Sequence, residues 1–385
     1  MTRQIQAAES DLHFMRLALR LARRGLGRTS PNPMVGAVLV REGRVIGQGW
    51  HRRAGEPHAE VEAIRNAGKR GNRTRCATLY VTLEPCSTSG RTPPCTDAIQ
   101  AAGIRRVVAA ATDPNPKHAG RAFRILRRAG VGVLAGIQAQ EAARLNEAFN
   151  HWIVHRTPFV TAKIAMTLDG KIATPAGESR WITGEAARRF AMGLRHEADA
   201  ILVGVNTILA DDPSLTARYP DSDGPKPDLR RIVLDTRART PLTSRVVTDQ
   251  HAVMTTIVVG RSAPASRVSA LAKRVRVLVA PSSKPGRANR QPGIALPWLL
   301  KVLGRENVTS LLVEGGGEVN TSFLMGGLTH RIAFFYAPKI LGGRNARKAV
   351  AGNGARQIQE TLALRRVEWR RLDQDLLLTA RLQKG

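Results

Sequence analysis

The sequence predicts two α/β domains, and three observations carry that expectation. At 385 residues the chain is longer than one hydrophobic core usually supports. Apolar runs of strand length alternate with helix-period segments along both halves, the pattern of α/β folds. The alternation restarts after Thr157-Pro158. A boundary there gives domains at 1–155 and 156–385, and a hydrophobic fraction of 43% leaves enough apolar surface for both.

In the first half, Asp11 to Arg24 carries Phe14, Leu17, Ala18 and Leu21 on one stripe and reads as an amphipathic helix. Val35 to Val40 and Arg44 to Gly49 read as strands joined by a turn at Glu42-Gly43. A helix follows from His58 to Ala67, with Gly68 as its cap, then a strand from Ala77 to Leu83 and a helix from Pro94 to Ala102. Val107 to Ala111, a helix around Gly120 to Ala129, a strand at Val131 to Ala135 and a helix from Gln140 to Phe149 complete the half. The expected architecture is an α/β sandwich.

The second half opens with a strand at Phe159 to Ala165 and a helix at Gly184 to His196. Strands are expected at Ala200 to Gly204, Arg231 to Asp235, Thr256 to Gly260, Arg276 to Ala280 and Ser310 to Val313. Pro297 suits the first turn of a helix that reaches Leu303. Apolar runs at Ile332 to Tyr336 and Leu376 to Leu382 close the pattern, and Pro281 to Pro292 reads as a surface loop.

A net charge of +30 and a pI near 11.5 are values that a nucleic-acid binder would show. The basic residues are nevertheless scattered, with no block of five like charges, and aromatics are only 4%, too few for a base-stacking platform. Nucleic acid is therefore not the expected partner, although a positive field would steer phosphorylated ligands. No run of 18 apolar residues occurs, so neither a membrane span nor a signal peptide is expected. Three cysteines fit a reducing cytoplasm.

The most informative chemistry is His58-Ala59-Glu60 followed by Pro85-Cys86 and then Cys95. Zinc held by three protein ligands keeps a fourth position for water and lowers its pKa to about 7. His58, Cys86 and Cys95 would be those ligands, with His58 and Cys95 at helix starts where the dipole favours thiolate. Glu60, a non-ligand, would carry the proton from water to departing ammonia, as in zinc deaminases. The competing reading makes the cysteines small core residues or a disulfide and His58 a solvated cap, which leaves the order of the motif unexplained. Cys76 is expected to be an inert buried thiol.

The usual deaminase spacing is P-C-x-x-C, whereas eight residues, Ser87 to Pro94, separate these cysteines. Pro31-Asn32-Pro33-Met34-Val35-Gly36, Gly55-Glu56-Pro57-His58-Ala59-Glu60 and Gly90-Arg91-Thr92-Pro93-Pro94-Cys95 resemble the bifunctional deaminase/reductase family of riboflavin biosynthesis, in which the deaminase half has this longer loop. Lys163 to Lys171, Gly177 to Thr183, Ala210 to Pro213, Leu234-Asp235 and Val313 to Gly316 resemble its reductase half, so the resemblance covers nearly the whole chain.

The resemblance implies a cytidine-deaminase-like α/β sandwich followed by a dihydrofolate-reductase-like α/β domain, with Zn2+ and NADPH as cofactors and a phosphorylated pyrimidine as substrate. It also implies a cytoplasmic homo-oligomer. Ala165, Trp181, Thr207, Asp211, Thr236 and the turn Gly316, Gly317, Glu318, Val319, Asn320, Thr321 and Ser322 would contact NADPH. Ser179, Arg195, Leu215, Arg218 and Glu314 would hold substrate, the arginines gripping its phosphate, and Lys163 would lie beside the ribose.

By themselves these residues allow plainer readings. Glu314-Gly315-Gly316-Gly317 after a strand is either a phosphate-binding turn or a simple tight one. Arg195 and Arg218 could be surface charges, Trp181 a core aromatic and Asp169 a turn residue. Arg237, just past a strand end, is a candidate reader of the NADPH 2′-phosphate. Two rival functions stand beside the main one: a base deaminase acting on RNA with the second half as an RNA platform, and a non-catalytic zinc-stabilised module.

Overall fold

A computed structural model describes residues 2–89, 93–217, 229–283 and 293–383, and the chain folds as two compact units, Met1–Arg156 and Thr157–Gly385. In the first unit, α1 (Thr2–Ala22) is followed by β1 (Gly36–Arg41), β2 (Arg44–Trp50), α2 (Ala59–Lys69), β3 (Thr78–Val81), α3 (Cys95–Ala101), β4 (Arg106–Ala109), α4 (Arg121–Arg128), β5 (Gly132–Ala135), α5 (Ala139–Leu145) and α6 (Glu147–His155). The sheet runs β2-β1-β3-β4-β5. β1 is antiparallel to β2 and β3, while β3, β4 and β5 are parallel.

Alternate residues of these strands feed two cores. Ala37, Leu39, Leu79 and Val107 pack under α2, α3 and α4 through Ala63, Ile99 and Phe123. Val38, Tyr80 and Val108 pack against α1 through Phe14, Met15 and Leu19. Period two in the strands and period 3.6 in the helices thus make the three-layer sandwich.

Three features of this unit differ from expectation, each for a physical reason. α2 runs past Gly68 to Lys69, and Gly71, at φ 72°, makes the left-handed turn. The segment read as one helix from Gln140 to Phe149 breaks at Asn146 (φ −106°, ψ 23°), which forms a two-point clamp on another loop. Its Oδ1 accepts from the Met34 N–H at 2.8 Å and its Nδ2 donates to the Met34 carbonyl at 2.9 Å. Cys76, expected to be buried, is exposed, at φ 67° in the turn before β3.

The second unit contains β6 (Phe159–Thr167), β7 (Lys171–Ala173), α7 (Glu185–Glu197), β8 (Ala200–Gly204), α8 (Val205–Asp211), β9 (Arg230–Leu234), α9 (Arg245–Thr248), β10 (Thr255–Gly260), α10 (Ala265–Ala272), β11 (Arg276–Ala280), α11 (Leu296–Arg305), β12 (Ser310–Val313), α12 (Gly317–Met325), β13 (Arg331–Ala337), β14 (Arg347–Lys348), β15 (Leu364–Leu372) and β16 (Asp375–Leu382). The main sheet runs β11-β10-β9-β8-β12-β6-β13-β16-β15, and β14 pairs with β7. It is parallel from β11 to β13, with β16 and β15 antiparallel at one edge.

Central strands such as β8, buried at all five positions, are apolar throughout because helices cover both faces. β15, which was not expected, is exposed at eight of its nine positions. Its arginines suit a solvent-facing edge and hide the apolar alternation by which strands are read. Most of the predicted loop Pro281 to Pro292 lies outside the described residues. No described helix is long and apolar enough to cross a membrane.

Gly36 shows how tightly α1 lies on the first sheet. A Cβ there would run into the Ala18 carbonyl oxygen and sit 2.6 Å from Ala22 N. Gly36→Ala is expected to lower stability by about 3 kcal/mol through overpacking. Denaturant unfolding checks this, and an unchanged midpoint would show that α1 can shift freely.

Candidate functional site

In the first unit three segments converge on one point. His58 is the N-cap of α2 in extended conformation, Cys95 is the first residue of α3, and Cys86 lies in the loop after β3. Two glycines of β2 let α2 descend onto the sheet. A Cβ on Gly49 would collide with the Ala59 carbonyl and lie 2.5 Å from Ala63 N, and one on Gly47 would meet the Ala63 carbonyl.

His58 Nδ1 is 3.2 Å from Cys95 Sγ and 3.4 Å from Cys86 Sγ, and the Cys95 N–H donates to Cys86 Sγ at 3.2 Å. The three ligand atoms lie within 4.8 Å of one another. Tetrahedral zinc, with bonds of about 2.0 Å to nitrogen and 2.3 Å to sulfur, separates its ligand atoms by roughly 3.5–3.8 Å. An opening of a few tenths of an ångström fits the ion, so this donor set suits zinc and a disulfide is not formed.

The electrostatics favour a thiolate at Cys86. The hydrogen bond from Cys95 pulls the Cys86 thiol down to about 4, against burial and with help from His58. The same hydrogen bond and burial push Cys95 upward. Glu60 is 3% exposed, and burial raises its carboxyl, with His58 opposing. Thus the carboxyl two residues beyond the histidine faces the two thiols and is shielded from solvent.

Two supports carry no local motif. His51 is buried, with its ring edge-on to His58 at 5.4 Å between centroids. Its Nδ1 lies 3.2 Å from the Pro57 carbonyl, which can only accept, so Nδ1 holds the hydrogen and Nε2 accepts from Asn32 Nδ2 at 3.1 Å. Glu84, also buried, accepts from the N–H groups of Asp113, Gly120 and Ala122 at 2.9–3.1 Å and fixes the loop into α4. Of the Gly90 to Cys95 motif, Gly90, Arg91 and Thr92 lie outside the described residues.

The second unit has a cavity of about 980 Å³ at the carboxyl ends of β8, β9 and β12, where open α/β sheets bind ligands. Lys163, Ala165, Ser179, Trp181, Thr207, Asp211, Thr236, Glu314, Gly316, Gly317, Glu318, Val319 and Ser322 line it. Trp181 is 66% exposed and therefore no core aromatic. The first turn of α12 faces this space with no side-chain cap at Gly316, where an added Cβ would touch nothing. Uncapped N–H groups at an open glycine fit a pyrophosphate, so the cavity fits NADPH.

Asn320 and Thr321 are not among the lining residues, and their buried side chains bond backbone carbonyls. Asn320 Nδ2 donates to the Ala349 carbonyl at 2.9 Å, and Thr321 Oγ1 donates to the Gly317 carbonyl at 2.8 Å and to the Ala351 carbonyl. Leu215 is buried in the core beside Val233, and Arg218 lies outside the described residues. Arg195 is no loose surface charge. Its Nε and Nη2 donate to both oxygens of Glu314 at 2.9 and 2.8 Å, and its Nη1 donates to the Thr216 carbonyl. Asp169 is a turn residue that accepts from the Leu341 and Gly342 N–H groups at 3.1 and 2.8 Å.

The second half matches the family model "RibD C-terminal domain" over residues 158–378, and residues 8–111 match "Cytidine and deoxycytidylate deaminase zinc-binding region". The riboflavin biosynthesis protein RibD of Aquifex aeolicus is 43% identical over 371 residues, spanning 96% of this chain and 98% of that protein. The chain belongs to the RibD family. The Escherichia coli RibD is 41% identical over 341 residues, spanning 86% of this chain and 89% of the other.

Among solved structures, RibD of Acinetobacter baumannii superposes with TM-score 0.85 at 34% identity, spanning 98% of this chain and all of that one. The diaminohydroxyphosphoribosylaminopyrimidine deaminase/5-amino-6-(5-phosphoribosylamino)uracil reductase of Thermotoga maritima gives 0.82 at 33% identity with the same coverage. RibD proteins couple a cytidine-deaminase-like domain to a dihydrofolate-reductase-like one, and this chain is such a zinc- and NADPH-using deaminase/reductase of riboflavin biosynthesis. An RNA platform in the second half is not favoured, since that half matches the reductase domain.

Glu314 is the electrostatic centre of the reductase cavity. Burial pushes its carboxyl up, but Arg195 and Lys163, whose Nζ is 4.0 Å away, outweigh this and hold it down near 2. A depressed carboxyl stabilises the fold at every pH above its ordinary range, and that contribution fades as pH falls toward 2. Glu314→Gln, which leaves Arg195 uncompensated, should cost about 3–5 kcal/mol at pH 7. Denaturant unfolding at several pH values should show this gap shrinking below about pH 4; a gap that persists unchanged to about pH 3 refutes the account.

Proposed function

We propose that the chain first deaminates 2,5-diamino-6-(5-phosphoribosylamino)pyrimidin-4(3H)-one and then reduces the ribosyl group of the product to ribityl. The observation that carries the first step is the convergence of His58, Cys86 and Cys95 beside the buried Glu60. His58, Cys86 and Cys95 hold zinc, which supplies Lewis-acid activation of water when bound. Glu60 would take a proton from the attacking water and deliver it to the leaving amine, so that the bond from the ring carbon to its exocyclic amine breaks, a C–O bond forms at that carbon and ammonia departs.

In the second unit NADPH, when bound, would supply the hydride for C1′ of the ribose, while the ring C1′–O4′ bond breaks and O4′ gains a proton to give the open ribityl chain. Ala165, Trp181, Thr207, Asp211, Thr236, Gly316 to Val319 and Ser322 hold the dinucleotide, all from the cavity wall. Ser179 and Glu314 hold the substrate, and Lys163, buried and next to Glu314, lies beside the carbon that is reduced. Arg195 acts through Glu314 as a positioning residue, since its fork is taken by that carboxylate.

A cytoplasmic location belongs to the same reading and rests on three free cysteines. Assembly into a homo-oligomer does too, supported by the exposed Val367 and Trp369 on edge strand β15, and sedimentation of the full chain checks it.

Mass spectrometry of the products tests the function directly. The zinc-loaded chain alone should add roughly one mass unit to the pyrimidine substrate, and addition of NADPH about two more. Glu60→Gln should cut ammonia release by about 10²–10⁴-fold or more while zinc content stays at one per chain. Undiminished ammonia release would remove Glu60 from the mechanism, and loss of zinc would make it structural.

A further inference from the structure

We propose that Arg347 and Lys348, the two residues of β14, form a phosphate subsite in the reductase cavity. The inference rests on the reductase reading and adds a ligand contact that the sequence motifs do not contain. Arg195 was expected to grip phosphate, yet its donors are spent on Glu314 and the Thr216 carbonyl. Lys163 faces the same carboxylate, and Arg188 donates to the Thr183 carbonyl at 2.6 Å while stacking on Trp181. A phosphorylated ligand therefore meets few uncommitted cations among the described lining residues.

Arg347 and Lys348 are the exception. Both line the cavity, both are exposed, and neither side chain is paired with a described residue. They stand on a strap held at several points. Arg347 pairs with Ala173 and Lys348 with Lys171 across β7, the Ala349 N–H donates to the Gly170 carbonyl at 2.9 Å, and Asn320 and Thr321 grip the Ala349 and Ala351 carbonyls. Gly317 completes the seat, because a Cβ there would collide with the Lys348 carbonyl oxygen.

The strap therefore comes down directly on the uncapped start of α12. At its other end the Arg347 guanidinium lies over Gly177, where an added Cβ would be 3.3 Å from Nη2. Gly177 is two residues from Ser179, on the cavity wall. The Arg347 guanidinium, a neighbouring exposed lysine and open helix N–H groups around one cavity supply the donors of a phosphate site. The phosphate could come from the pyrimidine substrate's monoester or from the dinucleotide.

The test uses the full chain with Arg347→Gln, Lys348→Gln and both together, changes that leave the backbone ladder intact, with thermal melting to confirm folding. In NADPH oxidation with the deaminated pyrimidine, the double variant is expected to raise one KM by roughly 10- to 100-fold, the loss of one or two charge-assisted bonds, with kcat changed less than about threefold. A rise confined to the pyrimidine, and absent with its dephosphorylated form, assigns the substrate phosphate. A rise for NADPH with NADH unaffected assigns the 2′-phosphate, and a rise for both assigns the pyrophosphate.

Unchanged KM values in a folded double variant, or a fall in kcat alone, overturn the subsite. If the wild-type chain shows no reduction, the reductase reading fails separately. Calorimetric titration with inorganic pyrophosphate then decides the subsite: binding that the double variant loses supports it, and wild-type binding that is absent or equal to the variant's overturns it.

Discussion

Both sites depend on helix starts brought so close to neighbouring backbone that only glycine fits at the contact. In the first unit Gly47 and Gly49 of β2 let α2 lie on the sheet, which aims His58 at the cysteines and buries Glu60 beside them. In the second, a Cβ on Gly204 at the end of β8 would lie 2.9 Å from Val319 Cγ2, and one on Gly315 would lie 2.5 Å from the same side chain. The start of α12 is pressed against the strand ends in this way, with its N–H groups toward the cavity. Missing side chains thus set the positions of the reactive ones.

The charge distribution follows a different rule from the overall balance. Most of the excess of positive charge lies on exposed arginines, where pairing contributes little. The buried charges are few and tightly organised. Glu314 is fixed by the bidentate fork of Arg195 and faced by Lys163, and Arg231, fully buried, donates to both oxygens of Asp249 at 2.7 and 2.8 Å. A buried ion pair is weak evidence for stability, but breaking one is costly, so Glu314 is held in one position.

The convergence of His58, Cys86 and Cys95 was legible because its signal is local and chemical. His58, Glu60, Cys86 and Cys95 are residue types with few other reasons to occur in that order, and three of them stand at or beside helix starts that the apolar pattern also marks. The parallel strands were legible for a related reason, since burial on both faces makes them apolar throughout. β15 was not, because an exposed edge strand needs no apolar face. The break at Asn146 was hidden because its cause is Met34, 112 residues away in the chain. His51 and Glu84 escaped notice because each works by bonding distant backbone or side-chain groups.

The sequence by itself determined the α/β class, the division near Thr157-Pro158, the His58, Cys86 and Cys95 set that could hold a metal and, through its motifs, the family. The tertiary structure decided which motif residues meet. It bonded the side chains of Asn320 and Thr321 to the strap that begins at β14, and it committed Arg195 to Glu314 rather than to open space. It also brought Arg347 and Lys348, about thirty residues beyond the glycine turn, to the cavity wall. Residue type and spacing record what chemistry a side chain can do, whereas the direction it points depends on contacts between segments far apart in the chain.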